Sequence, residues 1–231
     1  MSLILVAHGT RRPSGVAMIG DLAAQVSALV DRTVQVAFVD VLGPTPSEVL
    51  RSAAGSADRG SAIVLPAFLS RGYHVRTDLP AHVAASGHPL VIIAPALGPS
   101  PHIARIMAQQ LVESGWRRGD SVILGAAGTS DRRAQADLRT TAALLSARTG
   151  SRVGVGFAAT GSPDVREAVT NARRKGARRV VVASYLLADG LFQERLRGCG
   201  ADLVTPPLGT HRGLAHLIAN RFRNAALVAA A

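Results

Sequence analysis

The feature that most restricts how this chain can fold is that its sequence is written twice. "SLILVAHGTRR" near the start matches "SVILGAAGTSDRR", so that Gly9 and Thr10 fall on Gly128 and Thr129. At the same offset "VQVAFVDVLGPTP" matches "VGVGFAATGSPDV", with Phe38 on Phe157 and Pro44 on Pro163. After a one-residue slip "AIVLPAFLSRGYH" meets "VVVASYLLADGLF", with Gly72 on Gly190, and "PALGPSPHIARIM" meets "PPLGTHRGLAHLI". The chain is therefore two similar halves, 1–118 and 119–231. Within the first half "SLILVA", "VAMIGDLAAQVSALVDR", "TVQVAFVDV", "PSEVLRSAAGSA" and "SAIVLPAFL" alternate strand-like with helix-like patterns. That order predicts an α/β fold of two similar Rossmann-like lobes, each a small parallel β-sheet flanked by helices, with a cleft between them. A length of 231 residues and 48% hydrophobic composition supply enough core without disulfides.

The duplication also acts as an internal control. Residue types shared by both halves, such as Gly9/Gly128, Phe38/Phe157 and Gly72/Gly190, belong to the fold. Residues that change chemistry are candidates for function. His8 falls on Ala127, Asp40 on Ala159 and His74 on Phe192, three metal-ligand types in the first half and three apolar residues in the second. His8 ends the first strand, Asp40 ends the second, and His74 is expected in the loop after the third. In a doubly wound parallel sheet, ligands bind beyond these carboxyl ends. Two imidazoles and a carboxylate suit a divalent transition metal, and three ligands leave open positions. Singly, each has an ordinary reading: a hydrogen-bonded histidine after a strand, or an aspartate capping the turn before "GPTP". Their joint loss in the second half favours a site. His82, His88, His102, His211 and His216 lack such support and read as surface or packing residues.

The surroundings suit a large anion. Net charge is +11, and all but one of the basic residues are arginine. Thr10, Arg11 and Arg12 lie in the first strand-to-helix turn, and Arg71, Tyr73 and Arg76 surround His74, so these six are candidates for substrate binding. Asp78 reads as the N-terminal cap of the next helix, with Pro80 near its start. The run "ARRKGARRV" reads as a solvated helix end before a strand. Aromatics make up only 3% of the chain and no nucleic-acid-binding motif is present, which argues against nucleic acid as partner. The single cysteine, Cys199, reads as a small buried filler and fits a reducing cytoplasm. There is no uninterrupted apolar run of about eighteen residues, so no membrane span is expected, and "MSLILVAHG" reads as a strand and not a signal peptide.

The elements "LVAHGTRR", "AFVDVLGPTP", "LPAFLSRGYHVRTDLP" and "ALGPSP", with the two-half organisation, resemble the class II chelatases of modified tetrapyrrole synthesis, the sirohydrochlorin cobalt and iron chelatases. The resemblance spans essentially the whole chain. It implies two lobes holding metal and macrocycle, with His8 and His74 as the metal-binding and catalytic pair. Asp40 stands where many members have glutamate, and its shorter reach leaves open direct ligation, action through water or charge balance. The substrates implied are Fe2+ or Co2+ and sirohydrochlorin or a related polycarboxylate tetrapyrrole. "GAAGTSD" lacks the lysine of a nucleotide-binding phosphate loop, so no nucleotide is expected. Both halves lie in one chain, which is compatible with a monomer. Two other readings compete. A histidine phosphatase would share the histidine, glycine and arginine of "AHGTR", but Ala7 replaces its leading arginine. A metal or tetrapyrrole carrier would need the same ligands without the chemistry.

Overall fold

The computed structural model describes residues 1–55 and 60–230. In chain order the first elements are β1 (Ser2–Ala7), α1 (Pro13–Val30), β2 (Val34–Phe38), α2 (Pro46–Gly55), β3 (Ala62–Pro66), α3 (Leu79–Ser86), β4 (Val91–Ile93) and α4 (Pro101–Glu113). They are followed by β5 (Ser121–Ala126), α5 (Arg132–Thr149), β6 (Val153–Phe157), α6 (Val165–Arg174), β7 (Val180–Tyr185), α7 (Leu191–Arg197), β8 (Leu203–Val204) and α8 (Arg212–Ala230). The strands form two parallel four-stranded sheets of the same order, β2-β1-β3-β4 and β6-β5-β7-β8. The α/β reading with two similar lobes therefore holds. The expected second strand extends past Phe38 in sequence but the element ends there, and Ser56 and Ala57 of the expected "PSEVLRSAAGSA" helix lie outside the described residues.

Packing divides the chain into Met1–Leu97 with Arg212–Ala231, and Gly98–His211. The repeat halves 1–118 and 119–231 are a different division: α4 packs on α5 in the second unit, and α8 packs on α1 and β3 in the first. In the first unit the central strands are fully enclosed, Ile4, Leu5, Val6, Ile63, Val64 and Leu65 having no exposed surface. Strands buried on both faces read as continuous apolar runs, which is why "LILVA" and "AIVLP" show no alternation. One face is filled by Val49 and Leu50 of α2 and Leu79 of α3. α8 is tied in by polar contacts as well as by buried Phe222. Arg223 donates to the carbonyl of Leu29, and Arg221 donates to those of Pro95 (3.1 Å) and Leu97 (3.2 Å). Capping explains where α2 begins: Thr45 N donates to Glu48 Oε2 at 2.7 Å, and the Glu48 amide returns to Thr45 Oγ1.

α1 has the length and composition of a membrane-crossing helix, although its face of Ile19, Leu22, Ala23 and Val26 is buried in the first unit, where it packs on α8 and β2.

The repeat extends to the backbone hydrogen bonds at the strand ends. Val39 N and Asp40 N donate to the carbonyls of Ala7 (3.0 Å) and His8 (3.1 Å); Ala158 N and Ala159 N donate to those of Ala126 (2.8 Å) and Ala127 (2.9 Å). Gly9 and Gly128 have φ of +99° and +114°, and a Cβ on either would lie 2.2 Å from the Asp40 carbonyl oxygen or 2.1 Å from that of Thr160. Only glycine fits there.

Candidate functional site

The chain steps from β1 to β2 on one side and then crosses over to β3 on the other, so the crevice at the carboxyl ends of β1 and β3 is the topological switch point of the first sheet. His8 follows β1 directly and is exposed. His74 comes from beyond β3, and here the structure corrects the expectation of a loop. Residues His74–Asp78 form one π-helical turn running into α3, with Val75 N and Arg76 N donating to the Gly72 carbonyl and Leu79 N to that of His74. Such single π turns within helices are frequent at functional sites. The turn brings the rings of His8 and His74 to 4.7 Å between centroids, edge to face. Phe68 lies nearly parallel to His74 at 5.8 Å, and Tyr73, 59% exposed, lies edge-on at 6.0 Å.

Asp40 is near in the backbone but its carboxylate is used locally, Oδ1 accepting from Val41 N at 2.7 Å. Among the described residues no three His, Cys, Asp or Glu side chains converge to hold a metal, so the expected set of His8, Asp40 and His74 is assembled only as far as its two imidazoles. The reason is visible in the chain. Val41 adopts φ +69°, a left-handed conformation unusual for a β-branched residue, and the Asp40 side chain caps that strained turn.

Asp78 is also corrected. It makes no cap contact to α3, because the helical conformation has already begun at Tyr73; its Oδ2 lies 2.5 Å from His74 Nδ1. The signal that could have found it is the spacing of His74 and Asp78, four residues apart on one helical face.

The basic candidates are exposed. Arg11 and Arg12 are exposed before α1, and Arg71 and Arg76 are exposed around the π turn, where Arg76 Nε donates to the Arg71 carbonyl at 3.1 Å. Thr10 behaves differently: its hydroxyl accepts from Arg12 N at 3.2 Å, as Thr129 accepts from Asp131 N at 3.1 Å. A contact repeated in both halves belongs to the turn.

Among the remaining histidines, His82 Nδ1 lies 3.4 Å from Ser47 Oγ. His102 and His216 are exposed, and buried His88 accepts from Leu90 N. At the equivalent strand ends of the second sheet, Leu191 and Phe192 are 52% and 39% exposed, apolar where the first unit has Tyr73 and His74. Cys199 is buried, as its filler reading requires, and burial pushes its thiol pKa up.

Comparison with known proteins gives a consistent picture. The family model described as CbiX matches residues 2–114 and again 121–225, once for each repeat half. A curated relative, the sirohydrochlorin ferrochelatase of Priestia megaterium, is 24% identical over 238 aligned positions, covering 96% of this chain and 89% of that one. The sirohydrochlorin cobaltochelatase of Methanopyrus kandleri is 33% identical over 81 positions, 35% of this chain and 56% of that one. Among solved structures, SirB from Bacillus subtilis with Fe3+ shares the fold with a TM-score of 0.81 at 18% identity, covering 97% of this chain and 95% of that one.

Proposed function

This chain belongs to the CbiX family of sirohydrochlorin chelatases, and from that premise we propose that it inserts Fe2+ or Co2+ into sirohydrochlorin, or a related polycarboxylate tetrapyrrole, without nucleotide hydrolysis. The observation that carries the reading is the pair of imidazoles, His8 and His74, 4.7 Å apart at the switch point, on a backbone whose second copy carries Ala127 and Phe192 instead. Both the metal ion and the macrocycle are substrates.

The chemistry asks two things of the protein. As the metal enters, two pyrrole N–H bonds break and two protons leave, so the charge of the macrocycle core falls by two as that of the metal is added. Neutral imidazoles hold a divalent ion through a ring nitrogen and accept protons near neutral pH, which suits His8 and His74 to both tasks. Asp40, one residue from the strained Val41, contributes negative charge beside the incoming cation. Arg11, Arg12, Arg71 and Arg76 present exposed guanidinium groups to peripheral carboxylates, Tyr73 offers an exposed ring, and Thr10 has only its hydroxyl proton left to give. We read the protein as a cytoplasmic monomer serving siroheme or cobalamin formation.

The test is the anaerobic rate of spectral change of sirohydrochlorin with Co2+ and then Fe2+, with and without ATP, for the intact protein, a His8→Ala/His74→Ala double variant and a protein-free control. The expected result is ATP-indifferent acceleration that the double variant loses. Tight binding of metal or macrocycle with no acceleration would replace the enzyme by a carrier.

A further inference from the structure

The two imidazoles are not equivalent, and the difference lies in what holds them. His8 Nδ1 faces only the carbonyl of its neighbour Gly9, at 3.3 Å, and its ring is exposed. His74 is held from three sides: Phe68 lies along its ring at 5.8 Å, the π turn fixes its backbone, and Asp78 Oδ2 meets its Nδ1 at 2.5 Å. Asp78 has no other side-chain partner among the described residues and does no capping work. An ionised carboxylate oxygen can only accept, so the ring proton of neutral His74 sits on Nδ1 and the lone pair on Nε2.

We infer that Asp78 is a positioning residue that fixes His74 as a preset Nε2 donor, leaving His8 as the freer of the two imidazoles. The arrangement is the one that carboxylates make behind metal-binding histidines generally, where loss of the outer partner costs 10- to 100-fold in metal affinity or activity. The π turn supplies the geometry: with the helix already running at Tyr73, residues 74 and 78 share a face, and Asp78 is freed from the capping role that its place before Leu79 and Pro80 suggests. This inference rests on the chelatase reading only for its consequence in turnover; the tautomer and the metal affinity are tested without tetrapyrrole.

The experiment compares the intact chain with Asp78→Ala and with Asp78→Asn, which keeps the shape. Nitrogen-15 NMR of the histidine rings reads the tautomer in metal-free protein, and titration with Co2+ alone reads affinity from its visible absorption. The expected result is His74 with its proton on Nδ1 in the intact protein and shifted toward Nε2 in Asp78→Ala, with Asp78→Asn, whose amide oxygen can still accept, between the two and the His8 tautomer the same in all three. Co2+ affinity should fall 10- to 100-fold while unfolding midpoints stay close to that of the intact protein. A His74 proton already on Nε2 in the intact protein, or Co2+ affinity within twofold in both variants, overturns the inference. Sirohydrochlorin turnover separates the two claims. An intact protein with Asp78-dependent tautomer and Co2+ binding but no turnover keeps the inference and removes the chelatase reading. Turnover indifferent to Asp78, with no tautomer change, does the reverse.

Discussion

Adding one methyl group at Gly9 should break the site and destabilise the fold together, and the second half of the chain provides the matched control. In Gly9→Ala the new Cβ starts 2.2 Å from the Asp40 carbonyl oxygen, more than an ångström inside the roughly 3.5 Å of ordinary contact. The backbone there has φ +99°, a conformation costing about 1–3 kcal/mol for a residue with a side chain. Moving the backbone to relieve the contact costs about 1–3 kcal/mol more, as overpacking does elsewhere. Together the loss is about 2–6 kcal/mol, readable as a lower urea midpoint at unchanged slope. Gly128→Ala meets the Thr160 carbonyl oxygen at 2.1 Å with φ +114° and should lose about as much. Only Gly9→Ala lies between His8 and Asp40, so it alone should weaken Co2+ binding. A Gly9→Ala protein within about 0.5 kcal/mol of the parent, or equal loss of Co2+ binding in both variants, would refute the argument.

Val41→Gly should relieve the left-handed turn at φ +69° and raise stability by about 1 kcal/mol in urea titration, since the strain removed exceeds the entropy that glycine adds. Phe222→Ala, at a side chain 1% exposed on α8, should cost about 3–5 kcal/mol by the same measurement. Arg179→Ala leaves the buried Asp120 carboxylate with the Arg117 amide but without its 2.7 Å guanidinium partner, and the loss should be about 2 kcal/mol. Cys199 carries the pH prediction. Burial raises the thiol pKa in the folded chain, so the stabilisation it brings is complete below the unfolded value of about 8.5 and is lost as pH rises above it. Denaturant titrations from pH 7 to 10 should show that slope in the parent and a shallower one in Cys199→Ala, and iodoacetamide should label Cys199 only after unfolding.

Much of this was legible in the sequence because the duplication turned single residues into comparisons. His8 and His74 stand out against Ala127 and Phe192 in the sequence alone, and the structure puts their rings in contact. Gly9 and Gly128 were assigned to the fold by their identity, and both take the same left-handed turn against a carbonyl. What was hidden depended on departures from local rules. An aspartate just before Leu79 and Pro80 looks like a cap because caps are common there, and only the earlier start of the helix at Tyr73 turns it toward His74. Asp40 looked like a third ligand because nothing in "FVDVLG" announces a left-handed valine whose amide its carboxylate must serve. The sheet partner of α8 was hidden too, since an apolar stripe states that a helix must be covered and not by which half.

That placement of α8 bears on the order in which a ribosome can complete the molecule. Gly98–His211 is one continuous stretch, so every part of the second unit is available once that stretch has emerged. The first unit, which holds His8 and His74, lacks the helix that covers α1 and β3 until Arg212–Ala230 has been made. The residues of the site are thus made well before the segment that completes the core beneath them. A chain released before α8 would carry both histidines on a sheet whose β3, and the α1 packed beside it, lack that cover, a form open to proteolysis.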